Sequence, residues 1–127
     1  MNKTIDYTGD FIQFQNEIKR NHGNSFGRQA SVFFKRAVFE YNKGLKNSAL
    51  ETAKLALTQA EYSGEYITVY INGFLAQLYA ELNQFEVAFG FCQKALGQLN
   101  KADEDYKEDL QYFTALKESI IFEEKES

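Results

Sequence analysis

The sequence predicts an all-α fold in which antiparallel helical hairpins stack as a short array of about six helices. Three observations carry this expectation. Apolar residues recur at steps of three and four through most of the chain, the spacing of one helix face. Proline is absent, and helix interiors exclude it while turn-rich β chains use it freely. Finally, a helix–turn–helix pattern returns after roughly 35 residues, the mark of a helical repeat array.

Six stretches follow in order. The first spans about Asp10 to Arg20, capped by Asp10, with Phe11, Phe14 and Ile18 on one face. Asn21 to Gly27 then reads as a loop, with two glycines and two asparagines breaking any period. The second runs from about Arg28 to Leu45, where Ala30, Phe33, Phe34, Ala37, Val38, Tyr41 and Leu45 form one stripe. The third opens on a capping box, Ser48 with Glu51, and continues through Leu50, Ala53, Leu57 and Ala60 to a left-handed stop at Gly64. The fourth covers about Glu65 to Leu82, with Ile67, Ile71, Phe74, Leu75, Leu78, Tyr79 and Leu82 on one side. The fifth opens on a second box, Asn83 with Glu86, and carries Phe85, Ala88, Cys92, Ala95 and Leu99. The sixth spans about Asp103 to Phe122, with Tyr106, Leu110, Phe113, Leu116 and Ile120 inward. Its acidic tail, Glu123, Glu124 and Glu126, opposes the helix dipole and is expected to fray.

The boxes at Ser48 and Asn83 are 35 residues apart, and their helices superimpose: Leu50 on Phe85, Ala53 on Ala88, Leu57 on Cys92, Ala60 on Ala95. The preceding helices match at a shift of 37 or 38, so the first turn is expected to be two or three residues longer than the second. Hairpins too thin to bury their own faces stack into a common core. The segment Leu75 to Ala88, continuing through Lys94-Ala95-Leu96, resembles a tetratricopeptide repeat: Leu75, Ala76 and Tyr79 on one helix, then a turn, Phe85, Ala88 and the Ala95-Leu96 pair. The first hairpin is a degenerate match, with Glu61 where the second residue of that pair belongs. The resemblance implies one right-handed tetratricopeptide-like domain over 1–127. Its parts are a leading helix and loop (1–27), a degenerate hairpin (28–64), a well-matched repeat (65–101) and a C-terminal capping helix (102–127). It also implies a partner groove lined by Tyr70, Gly73, Gln77, Ala80 and Glu81. On the second helix only Lys43 is common to both alignments. The alternative is that Tyr70 packs internally and Gln77 and Glu81 are merely solvated. The family's carboxylate clamp is not expected, because Lys35 is followed one turn on by Phe39, and Arg36 by Glu40, where an amide is required.

Composition narrows the function classes. Net charge is −4, and no basic stripe is visible along the sequence, so a nucleic-acid role is not expected. No run approaches the length of a membrane span, and the first ten residues lack the apolar stretch of a signal peptide. The single cysteine, Cys92, forms no internal disulfide, which makes a cytoplasmic protein the default. No catalytic constellation is present. His22, the sole histidine, sits in a loop without a positioning partner. Cys92 reads as a buried apolar residue, and no Cys/His cluster has metal spacing. The glycines before Arg28 lack the Lys-Ser/Thr ending of a phosphate loop. Phe39 lies well off the apolar stripe of its helix and must be either covered by the first helix or exposed at an interface.

The reading is therefore a non-enzymatic protein-interaction adaptor, without cofactor or metal, that recruits a peptide, a helix or a second copy. Two alternatives stand beside it: a regulatory sensor that encloses a small ligand or signalling peptide, and a structural homodimer subunit.

Overall fold

The structure is a computed structural model that describes residues 25–63 and 66–126. Among them are five helices and no strand: α1 (Ser25–Asn42), α2 (Lys46–Ser63), α3 (Ile67–Glu81), α4 (Phe85–Gly97) and α5 (Tyr106–Glu126). The protein is all-α as expected. The helix predicted over 10–20 lies outside the described residues, as do His22 and Gly64. The described chain divides into two compact units, residues 25–71 and 72–126, with the division inside α3.

In the unit 25–71, α1 and α2 pack against one another. Ala30, Phe34, Ala37 and Val38 of α1 and Ala49, Leu50, Ala53, Ala56 and Ala60 of α2 are buried. Alanine at four buried steps of α2 lets helices approach closely, since no side chain holds the axes apart. The link is three residues long and centres on Gly44, at φ 82°. Leu45 N–H donates to Glu40 O and Gly44 N–H to Tyr41 O, both at 2.9 Å. This bond pair is a Schellman stop, which wants a residue free to be left-handed at that point. The expected loop over 21–27 is corrected at its end, because Ser25 to Gly27 already belong to α1.

The capping box at Ser48 is also corrected. α2 begins two residues earlier, at Lys46, and the Ser48 hydroxyl donates to Glu40 Oε2 at 2.8 Å instead. Glu51 is exposed and meets Lys54 at 3.4 Å. With the helix already begun at Lys46, the Glu51 amide lies past the first turn and offers no end donor to cap.

In the unit 72–126, α4 and α5 pack together. Ala88, Cys92 and Ala95 of α4 are buried, as are Phe113, Leu116 and Ile120 of α5. Leu110, expected inward, is 37% exposed. α5 runs to Glu126, past the expected end near Phe122, and includes the acidic tail. Lys125 in the last turn offsets part of the unfavourable charge. The chain between α4 and α5 is tied locally by Asn100 Oδ1, which accepts from Ala102 N–H at 2.9 Å, and by Asp103 Oδ1, which accepts from Asp105 N–H at 2.8 Å.

The box at Asn83 is corrected in the same way as that at Ser48. Asn83 is left-handed, at φ 62°, and ends α3. Gln84 N–H donates to Tyr79 O at 2.9 Å and Asn83 N–H to Ala80 O at 3.0 Å. This too is a Schellman stop, with asparagine tolerating the left-handed backbone. Gln84 stands at the N-cap of α4 with no side-chain bond. The two links, 43–45 and 82–84, are thus equal in length, not different by two or three residues. Gly44 corresponds to Asn83, a shift of 39. At that shift Ala49 meets Ala88, Ala53 meets Cys92 and Ala56 meets Ala95, all buried. The register of 35 had been set by two caps that the structure does not make.

α3 differs from its neighbours. Residues 67–80 are all buried except Tyr70, which is half-buried. Its expected one-sided stripe is therefore only part of the buried surface. A helix that is apolar around most of its circumference is an interior helix. Thr68, Asn72 and Gln77 go inside with the rest.

Candidate functional site

The residues expected to line a groove fall into different environments. Tyr70 is half-buried and packs edge-on against Tyr66, ring centroids 5.7 Å apart. Gly73 is buried against Phe113 of α5: a methyl group there would collide with the ring at Cε1 and stand 3.1 Å from Cζ. That face of α3 is thus occupied from within the unit, and glycine is required for the close approach. Gln77 is 4% exposed, and its amide Nε2 donates to Glu81 Oε2 at 2.8 Å. Glu81 is half-buried and Ala80 buried. Gly73, Gln77 and Ala80 therefore lie in the interior, and only Tyr70 and Glu81 of this set reach solvent in part.

Two further interior groups of the unit 72–126 bear on chemistry. Asn72 Nδ2 donates to Gln98 Oε1 at 2.9 Å, a polar tie between α3 and the end of α4. The Cys92 thiol lies 3.3 Å from the carbonyl oxygen of Phe113 and donates to it. Burial pushes this thiol up to about 11, partly opposed by the charge of Lys117. A thiol so protonated and enclosed is a poor nucleophile, which matches its reading as a small apolar residue. Among the described residues no cluster of three or more His, Cys, Asp or Glu is placed to hold a metal ion. None of their helices is long and apolar enough to cross a membrane.

The outer face of α1 is the surface that the sequence reading missed. Phe39 is 60% exposed and Val32 65% exposed. At about 100° per residue these two, seven positions apart, point within about 20° of each other. Arg28 and Lys35 fall on one flank of that line and Arg36 and Lys43 on the other, each within about 50°. All four are exposed. Lys43, reached earlier only through the family alignment, places its ammonium 5.5 Å from the centre of the Phe39 ring. The expectation that no basic stripe exists is corrected: winding residues 28–42 into a helix, with Lys43 in the link directly after it, gathers four charges that look scattered in the sequence.

The only acidic residue of α1, Glu40, is 7% exposed and faces α2. Hydrogen bonding from Thr52 holds its carboxyl below the usual range against the opposing pull of burial, helped by Ser48 and by Arg36. Arg36 Nε stands 3.4 Å from Glu40 Oε2. Glu40 is thus spent on the α1–α2 contact, and every exposed charge on α1 is positive.

Exposed apolar residues recur on α2, with Leu55 at 53% and Tyr62 at 71%, again seven positions apart. Charge differs between the units: residues 25–71 carry six basic and four acidic side chains, residues 72–126 five basic and eleven acidic. No protein-family model matches the sequence, and neither a curated protein nor a solved structure matches the chain.

Proposed function

We infer that this protein is a protein-interaction module of tetratricopeptide-like build. Its helical hairpins would stack as an array, hold a peptide or helix on an outer face and catalyse no reaction. The observation that carries this reading is the exposure of Val32 with Phe39 on α1 and of Leu55 with Tyr62 on α2. An apolar pair two turns apart on one face is the spacing with which helices meet partners. Each such side chain is worth about 1.5–3 kcal/mol when a partner covers it fully. The build is supported by two Schellman stops of the same bond pattern, 39 residues apart, each followed by small buried residues at matching steps. A single enclosed thiol suits a reducing, cytoplasmic setting.

The test compares tagged wild type with a Phe39→Asp/Tyr62→Asp variant by affinity purification and quantitative mass spectrometry. Thermal melting of the variant beside the wild type separates lost binding from lost folding. A set of proteins enriched by the wild type and lost with the variant is the expected result. Identical recoveries from the two would overturn the reading.

A further inference from the structure

We propose that the outer face of α1 is a docking site for an acidic amphipathic helix, seated on Val32 and Phe39 and held by Arg28, Lys35, Arg36 and Lys43. This deepens the interaction-module reading and rests on it.

Val32 and Phe39 lie roughly 10 Å apart along the helix at 1.5 Å per residue. A straight apolar line of that pitch meets another helix through residues spaced three, four and seven apart. Basic residues flank the line on both sides, each three or four positions from Val32 or Phe39 and so on the same face, within reach of a partner's side chains. Their sign is uniform, because the sole acidic residue of α1 is buried against α2. A basic helix face of this kind would repel an equally basic helix, and it gains from acidic side chains placed beside the apolar ones. The Lys43 ammonium already lies over the Phe39 ring, so one flank is arranged before a partner arrives.

Two other occupants fit less well. A lipid surface holds a peripheral helix through a broad apolar face sunk into the headgroup boundary. Here the larger apolar face of α1 is already packed inside the protein, leaving two side chains for insertion. Single-stranded nucleic acid would need open aromatic faces on which bases stack, but the only aromatic of the line, Phe39, has Lys43 over its ring.

The test uses the full chain and a labelled synthetic helical peptide with leucines at three-, four- and seven-residue steps flanked by glutamates. A control peptide carries glutamine at every glutamate. Fluorescence anisotropy is expected to show binding of the acidic peptide, at least about tenfold weaker for the glutamine control and for Phe39→Ala. Lys35→Glu/Lys43→Glu is expected to abolish it, and added salt to weaken it. All these side chains are exposed, and unchanged thermal melting shows that the variants fold. The proposal is overturned if affinity ignores the glutamates or survives both sets of substitutions. It is also overturned if the same variants instead abolish binding to phosphatidylserine vesicles or to an oligothymidine. A concentration-dependent dimer in light scattering, dispersed by Lys35→Glu/Lys43→Glu, would assign the face to a second copy and overturn it as well. Selection from a random peptide library separates the two levels of inference. Neutral or basic sequences that bind elsewhere sink this proposal and leave the interaction module standing, whereas no binder at all sinks both.

Discussion

Glu40 is a carboxylate with little water around it, and its protonation is coupled to folding. Its pKa in the folded protein lies below the ordinary value of 4.5, so the folded state favours the charged form. The stability it contributes is therefore present above about pH 4.5 and is lost as pH falls through its lower, folded value. Glu40→Gln is expected to cost about 1.5–3 kcal/mol at pH 7, the range for hydrogen bonds to a charged group. Urea midpoints for wild type and variant should differ at neutral pH and converge as pH falls through the lowered value of the folded state. A gap that persists at low pH would mean that the contribution is packing, not charge. Gly73 makes the opposite kind of demand. In a helix interior Gly→Ala ordinarily gains about 1 kcal/mol. Here the added methyl collides with a fully enclosed Phe113 ring, and overpacking costs about 1–3 kcal/mol. Gly73→Ala should therefore lower the melting temperature. Adding Phe113→Leu should recover part of the loss, a non-additivity expected only of side chains in contact.

The two Schellman stops make a matched pair of expectations. Gly44→Ala places a side chain at φ 82° with no neighbouring atom within 4 Å. Its cost of about 1–2 kcal/mol is thus purely conformational. Asn83→Gly should be stabilising by up to about 1 kcal/mol, because glycine takes the left-handed backbone without strain. Thermal melting of the two variants should move in opposite directions. These stops also explain what the sequence disclosed and what it hid. The stripes of α1 and α4 were legible because Ala30, Phe34 and Ala37, or Ala88, Cys92 and Ala95, repeat at helical steps. The helix starts were not, since Ser48 and Asn83 have the chemistry of N-caps and were diverted to other work. Ser48 lies inside a helix already begun at Lys46 and donates to the Glu40 carboxylate across the contact, and Asn83 makes the stop of the preceding helix. Polarity misled in α3, where Gln77, expected in a groove or solvated, is buried with a partner at Glu81, and Asn72, which drew no notice, is buried with a partner at Gln98. The basic face of α1 was recoverable in principle from offsets of 7, 8 and 15 residues after Arg28, had charges been projected as the apolar residues were.

Cys92 reports on the protein as a whole. Its thiol is fully buried, so a disulfide reagent can reach it only when the structure opens. Reaction with such a reagent should be slow at low concentration and level off at the opening rate once labelling outpaces reclosing. Fast labelling of the native protein would contradict the burial. The same thiol has a folded value of about 11 against an ordinary 9.0. The stability linked to it is present below pH 9 and is lost as pH rises towards 11. Denaturant midpoints should fall more steeply above pH 9 for wild type than for Cys92→Ala.

The enclosure of α3 sets an internal clock. An amide at the surface trades its hydrogen with the solvent through small local fraying, but one in a sheathed helix must wait for a far larger and rarer event. In heavy water the stretch from Ile71 to Ala80 should therefore be the last to take up deuterium. Its exchange would track unfolding of the unit 72–126, while the outer turns of α5 exchange sooner. A peptide that merely rests on the outside of α1 would slow exchange near Phe39 first. Any retardation it causes in α2 would measure how far its binding energy is passed on to the stability of the unit 25–71.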